Sequence, residues 1–124
     1  MSRLLAIAAG GAVGSVLRYW LSTGVHALLG RNFPYGTLFV NVAGSLLMGF
    51  LFMVFLDRLT NDALLRAGVL IGMLGAFTTF STFSIETFNL IEDGAWLKAG
   101  LNAGLSLLLC LTAVWIGALL ARQL

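Results

Sequence analysis

Charge is what this chain most lacks. Only 10% of its 124 residues are charged and 60% are hydrophobic, whereas a soluble domain carries about a quarter charged residues. That excludes an ordinary soluble globular domain and places the chain in the membrane class. A formal net charge of +2 is too small to argue for nucleic acid as a partner. The single cysteine, Cys110, lies inside an apolar run, so it has no intrachain disulfide partner and says nothing about redox compartment. Proline also occurs once, as Pro34, where it suits the first turn of a helix. Metal-ligand clusters, nucleophile–base pairs and phosphate-cradling loops are all missing from the sequence. No enzyme is expected.

What is present is uncharged length. Phe33 to Leu56, Ala67 to Ile85 and Ala99 to Ala121 contain no charge, and Arg3 to Leu29 is interrupted only by Arg18. Each is long enough to cross a bilayer as a helix. The spans read as 3–29, 33–57, 62–91 and 96–122, an all-α integral membrane protein forming a single four-helix transmembrane domain over 1–124. Arg3 followed by Leu4-Leu5-Ala6-Ile7 resembles a secretory signal, but the apolar pattern continues to Leu29, too long for one. The links are short: Gly30-Arg31-Asn32, Asp57 to Asp62, and Glu92-Asp93-Gly94. Asn61-Asp62 is a candidate cap for the third helix.

An even number of spans puts both ends on one side, with Arg3, Arg58, Arg66 and Arg122; Arg31 and Lys98 fall on the other. Four basic residues against two is a weak orientation signal, so insertion in both orientations is expected. Four helices are few to enclose a polar path. Many transporters solve this with inverted repeats, but no internal repeat is present; an antiparallel homodimer would supply the same symmetry. Gly10/Gly14, Gly68/Gly72 and Gly100/Gly104 are small-xxx-small pairs that let helices approach closely, read here as packing within the bundle.

The richest stretch is Thr78-Thr79-Phe80-Ser81-Thr82-Phe83-Ser84, inside the third apolar run. Hydroxyls at most positions of a bilayer segment are unusual, because each buried polar group needs a partner. Phe80 and Phe83 share a helix face. Ring edges carry partial positive charge and hydroxyls such as those of Ser81 and Thr82 can donate, so the segment can face an anion without a full cationic trap. Gly75-Ala76-Phe77-Thr78 is a candidate helix break, Gly75 tolerating non-helical dihedrals. Broken spans expose carbonyls that can hold a cation; an intact helix with a packing glycine is the alternative.

Asn41 is the lone amide of the second span, a residue type that more often makes an interhelical hydrogen bond than binds substrate. Asn102 and Ser106 share a face of the fourth span, with Cys110 continuing it. Arg18 and Glu86 are the charges nearest the membrane interior; each can snorkel or pair near an interface. Arg18 at a water-filled mouth would raise the local anion concentration. His26 and the three tryptophans read as interfacial or packing residues.

With these residues in hand, the chain resembles the CrcB/Fluc family of fluoride channels along essentially its full length. The resemblance is carried by Gly10-Gly11-x-x-Gly14-x-x-x-Arg18, Gly36-Thr37-Leu38-x-Val40-Asn41 and the specific Gly75-x-x-Thr78-Thr79-Phe80-Ser81-Thr82-Phe83-Ser84-x-Glu86. It implies an antiparallel, dual-topology homodimer in the bacterial inner membrane, with two fluoride pores that passively export cytoplasmic fluoride and confer resistance. It implies Phe80 and Phe83 as pore aromatics, Asn41 as a pore-lining donor, Ser81 and Thr82 as hydroxyls beside them, and Asn102 and Ser106 on a fourth-helix polar track. Arg18 and Glu86 would belong to vestibules. A central structural sodium ion would be held by the main-chain carbonyls of Gly75 and Thr78 from both subunits. The implied partners are a second copy, membrane lipid and fluoride, with no nucleic acid. Two rival classes stand beside this reading. A proton-coupled four-helix exporter needs a titratable carboxylate in its site, which only Glu86 among the first three spans could supply. A non-transporting assembly subunit has no use for a polar aromatic break.

Overall fold

The computed structural model describes residues 1–58 and 62–124, and every described element is helical. Helix α1 covers Ser2–Leu29 and α2 Tyr35–Asp57. The third span opens as α3 (Ala63–Arg66), continues as a π-helical segment (Ala67–Leu74) and α4 (Gly75–Phe77), then restarts as α5 (Phe80–Glu92). Helix α6 covers Trp96–Arg122. Four helices, Ser2–Leu29, Tyr35–Asp57, Ala63–Glu92 and Trp96–Arg122, are long and apolar enough to cross a membrane.

Local chemistry sets the ends. Helix α1 stops where Gly30 takes φ 84°. Helix α5 ends at Gly94, φ 76°, whose amide reaches the Ile91 carbonyl at 2.9 Å while that of Ala95 reaches Leu90 at 2.8 Å. Both turns use the left-handed backbone that glycine adopts without steric cost. Pro34 sits one residue before α2 rather than within it, and its carbonyl accepts the amide of Leu38 at 3.1 Å. Asp62 caps α3 by accepting from the Leu65 amide at 2.9 Å. Asn61, the other candidate cap, lies outside the described residues.

Lipid tails are as apolar as leucine, so helix association in a membrane relies on close packing more than on the hydrophobic effect. The tightest pairings here are α2 with α6 and α1 with the π-helical segment. Glycines make both possible. A Cβ on Gly10 would collide with the Gly68 carbonyl, and one on Gly14 with that of Met73. Gly72 lies against the Ile7 carbonyl. Between α2 and α6, Gly49 meets the Val114 carbonyl and Gly117 the Leu46 carbonyl. The third pair, Gly100/Gly104, does not pack inside the chain: both face open space, because that face of α6 is turned away from α2. Beside these seams lies a small apolar core of Phe55, Leu70 and Leu74, with Met48, Leu51, Val69 and Met73 against it.

The interruption of the third span is not at Gly75, which keeps helical angles (φ −62°, ψ −36°). It falls at Thr78 (ψ 154°) and Thr79 (φ −149°, ψ 119°), both extended. Polar side chains replace the lost helical hydrogen bonds there, so glycine's dihedral freedom is not needed.

Gly14→Ala should destabilise the protein by about 1–3 kcal/mol, the usual cost of overpacking. Gly24→Ala, whose new methyl meets nothing within 4 Å, should be neutral or slightly stabilising. Thermal unfolding of the two variants in detergent distinguishes them; equal midpoints would refute the seam.

Candidate functional site

The break is organised by one side chain from another helix. Asn41, on α2, accepts the Thr79 amide at its Oδ1 (2.7 Å) and donates from Nδ2 to the Thr79 carbonyl (2.9 Å). Its carboxamide thus pairs with the extended residue as a neighbouring strand would. The start of α5 is closed by Thr79 itself, whose Oγ1 accepts the Thr82 amide at 3.2 Å and donates to Thr82 Oγ1 at 3.1 Å. Thr78 keeps contact with the preceding turn, its amide and hydroxyl both bonding the Leu74 carbonyl, at 3.1 and 3.0 Å. A Cβ on Gly44 would strike the Thr78 methyl and meet the Phe77 ring at 3.0 Å. That glycine lets the break lie flat against α2.

Two of the helical hydrogen bonds lost at the break are redirected to side chains. In a continuous helix the Gly75 carbonyl accepts from the Thr79 amide and that of Thr78 from the Thr82 amide. Here the first amide goes to Asn41 and the second to Thr79 Oγ1. Gly75 is also exposed, and a Cβ there would meet only the Leu70 carbonyl at 3.8 Å, an ordinary contact.

Two concavities lie at the break and a third farther along α5. The largest of them, about 540 Å³, is lined by Asn41, Ser45, Thr78, Thr79, Phe80, Phe83, Ser106 and Cys110 together with apolar neighbours. The Phe80 and Phe83 ring centroids are 5.3 Å apart and tilted by 45°. Phe80 is 78% exposed on the single chain, far more than a large aromatic normally leaves uncovered. Ser106 Oγ is buried without a hydrogen-bond partner. A second concavity, about 200 Å³, holds Arg18 with the hydroxyls of Ser15, Ser22, Thr37, Thr79 and Thr82. The third, about 230 Å³, takes Glu86 with His26, Arg31, Asn89 and Asp93.

Two of the three share a residue, and a hydrogen bond links the third to them. Thr79 lines both the aromatic groove and the Arg18 concavity. Thr37 lines the Arg18 concavity and donates to Glu86 Oε1 at 2.7 Å, while Glu86 Oε2 is buried with no partner. So Asn41, Phe80, Phe83, Ser106 and Thr78 come together in the groove, whereas Ser81, Thr82 and Asn102 do not line it. Ser81 is exposed, and its Oγ lies 3.4 Å from Thr79 Oγ1. Asn102 is 2% exposed and donates to Thr87 Oγ1 at 2.9 Å, tying α6 to α5. His26 packs on Gly36 beside the third concavity.

Sequence reasoning missed Ser15, Ser22 and Thr37. A signal for the first two existed: they stand three before and four after Arg18, on one face of α1. No group of three or more His, Cys, Asp or Glu side chains that could hold a metal ion occurs among the described residues, so any cation at the break would have to use main-chain oxygens.

Comparison with known proteins gives a consistent picture. The model of one family, described as CrcB-like protein, Camphor Resistance (CrcB), matches residues 5–118. A protein described as fluoride-specific ion channel FluC, from Methylococcus capsulatus, is 59% identical over 121 residues. That match covers 98% of this chain and 53% of the relative, so the chain spans about half the length of that protein. A FluC of the same description from Geobacter sulfurreducens is 53% identical over 124 residues, the full length of both. Another from Coxiella burnetii is 52% identical over 122 residues, 98% of each chain. These relatives are described as ion channels, in keeping with a protein that is not an enzyme, and with the four apolar helices they indicate a multi-pass membrane protein.

Replacing Asn41 with Leu strands the Thr79 amide and carbonyl, at about 1–3 kcal/mol for each unpaired group. Amide hydrogen exchange at Thr79 should accelerate while amides along the α2–α6 seam stay protected. Unchanged exchange at Thr79 would show that Asn41 does not hold the break.

Proposed function

The chain belongs to the CrcB family, and on that premise we propose that it is a fluoride-selective passive channel of the bacterial inner membrane. The observation that carries the proposal is the groove: an amide, an unpartnered serine hydroxyl and two tilted phenylalanines facing one space inside a membrane span. These are donors and positive ring edges with no cation among them. They suit a small anion that must be desolvated yet released.

Asn41 uses one Nδ2 hydrogen on Thr79 and retains the other for an anion. Fluoride would gather near Arg18 in the hydroxyl-lined concavity, shed water onto the Asn41 amide, the Ser106 hydroxyl and the ring edges, and leave down its electrochemical gradient. Thr37, Thr82 and Glu86 lie at or beside the mouths of that route, and Ser81 and Asn102 sit on its flanks. Hydrogen fluoride is neutral, so it crosses membranes at acidic external pH and dissociates inside; a leak for the anion lowers the internal load and confers resistance.

An antiparallel homodimer completes the proposal. Phe80 is open on the single chain, and Gly75, Gly100 and Gly104 meet no side chain of their own protomer within contact range. A second copy related by a two-fold axis in the membrane plane would cover these positions and double the groove into two pores. The two carbonyls freed at Gly75 and Thr78 fit a sodium ion: they are hard oxygen donors at the negative end of a half-helix, and two copies would present four. When bound, the ion would supply structural charge balance only. Each copy's carbonyls would hold it, and fluoride would not pass through it.

Liposomes loaded with fluoride and containing the purified protein provide the principal test. Native protein should release fluoride far faster than chloride. Phe80→Ile and Phe83→Ile, which keep bulk but lose the ring quadrupole, should each lower fluoride flux about tenfold or more. Native-like flux in both variants, or chloride release matching fluoride, would reject the proposal. Uptake of a cationic dye driven by a proton gradient would favour an exporter instead.

Gly75→Val probes the dimer and the ion together, because a Cβ there meets only the Leu70 carbonyl of its own chain, at 3.8 Å. It should leave the fold intact and abolish flux, as should strictly sodium-free medium for the native protein. Full activity in both would remove the ion site. Carboxyl-terminal reporters should appear on both membrane faces in comparable fractions; uniform orientation in an active protein would refute dual topology.

A further inference from the structure

We propose that the groove between α1, α2 and the beginning of the third span is a binding site for an anionic phospholipid. The groove encloses about 520 Å³. Two arginines, Arg3 and Arg66, line it, and the rest of its wall is apolar, including Met48, Phe52, Leu70 and Ile71. Among the described residues no carboxylate lines it.

The electrostatics call for an anion. Arg3 stands in the first turn of α1, where the helix dipole already places partial positive charge, and that turn contains no acidic residue. Arg66 is half-buried, its guanidinium carbon 5.6 Å from the centroid of the Phe52 ring. Stacking on the ring fixes the planar fork without consuming its N–H groups, which suits it to phosphate oxygens. Like charges gathered around one groove with no internal counter-charge are stabilised by a bound phosphate.

The shape selects a lipid. An inorganic phosphate would engage only the arginines and leave the apolar wall uncovered. Phe52 is 41% exposed and Ile71 61% exposed along that wall, both within spans long and apolar enough to cross a membrane. A phosphodiester on Arg3 and Arg66 with an acyl chain along Met48, Phe52 and Ile71 satisfies both halves. Met48 also lines the aromatic groove, so such a lipid would border it.

The test is native mass spectrometry of the purified, delipidated protein, titrated with phosphatidylglycerol or with phosphatidylcholine of the same acyl chains. Native protein should prefer phosphatidylglycerol. Basic residues near an anionic headgroup each contribute about 1 kcal/mol, so Arg3→Gln or Arg66→Gln should cost about five-fold in that preference and the double variant about 30-fold. Ile71→Trp, which fills the apolar half, should weaken binding of both lipids. Arg122→Gln, outside the groove at the same end of the bundle, should change nothing. An unaltered preference in the double variant would overturn the proposal. So would an equal loss in Arg122→Gln, which would mean diffuse surface charge. A changed oligomeric state in the double variant with lipid preference intact would assign the groove to a second copy of the chain, and would overturn it as well.

Discussion

Two hydrogen bonds between Asn41 and Thr79 are the constraint on which the centre of this protein depends. A span that stops being helical in a bilayer exposes amides and carbonyls with no water to receive them, at a cost of several kcal/mol per group. Asn41 answers for one residue's amide and carbonyl at once, at 2.7 and 2.9 Å. Thr79 Oγ1 answers for one of the free amides in the first turn of α5, that of Thr82. The carbonyls of Gly75 and Thr78 thereby lose the amides that a continuous helix would give them. The site's polarity is therefore a consequence of how the break is held together.

The same economy of contact shapes the rest of the bundle. Apolar side chains gain little by meeting each other where lipid is an equal alternative, and many large ones face outward, among them Leu108, Leu111 and Trp115. What joins the helices is backbone approaching backbone at Gly10, Gly14 and Gly72 on one seam and Gly49 and Gly117 on the other. The first seam grips the π-helical segment just ahead of the break. The second fixes α2, and with it Asn41, against α6, which carries Ser106. Packing thus brings the amide and the hydroxyl, from two helices, to one groove.

Much of this was legible in the sequence, and the boundary of legibility is physical. The spans could be read because charge is expensive in a bilayer: 96–122 was expected and Trp96–Arg122 is observed, and 62–91 corresponds to Ala63–Glu92. The polar aromatic motif could be read because so many hydroxyls need a reason to lie in a membrane. The place of the break could not, since it is decided by Asn41, 38 residues away in sequence, and glycine at 75 pointed three residues too early. The partner of Asn102 is Thr87 on another helix, a pairing that periodicity within one span cannot supply. Gly100 and Gly104 show the same limit: spacing reveals a smooth face, not whether the chain itself covers it.

The order of the three concavities bears on how a passive route could work. Arg18, the one full positive charge among them within a helix, lines a concavity that meets the aromatic groove at Thr79. A cation inside the groove would deepen the well there and slow release, since conduction requires binding weak enough to leave. On the proposed reading, a charge one step outside and neutral donors within would raise the supply of anion without trapping it. Glu86 stands one hydroxyl further out, with Thr37 donating to one carboxylate oxygen. The linings differ in kind: Glu86 and Arg31 in one concavity, Arg18 and hydroxyls in the next, neutral polar groups and phenylalanine rings in the groove. On the proposed reading, that arrangement makes the groove permissive for fluoride: each exchange of water for protein is small, and no single step becomes the site where the ion stays.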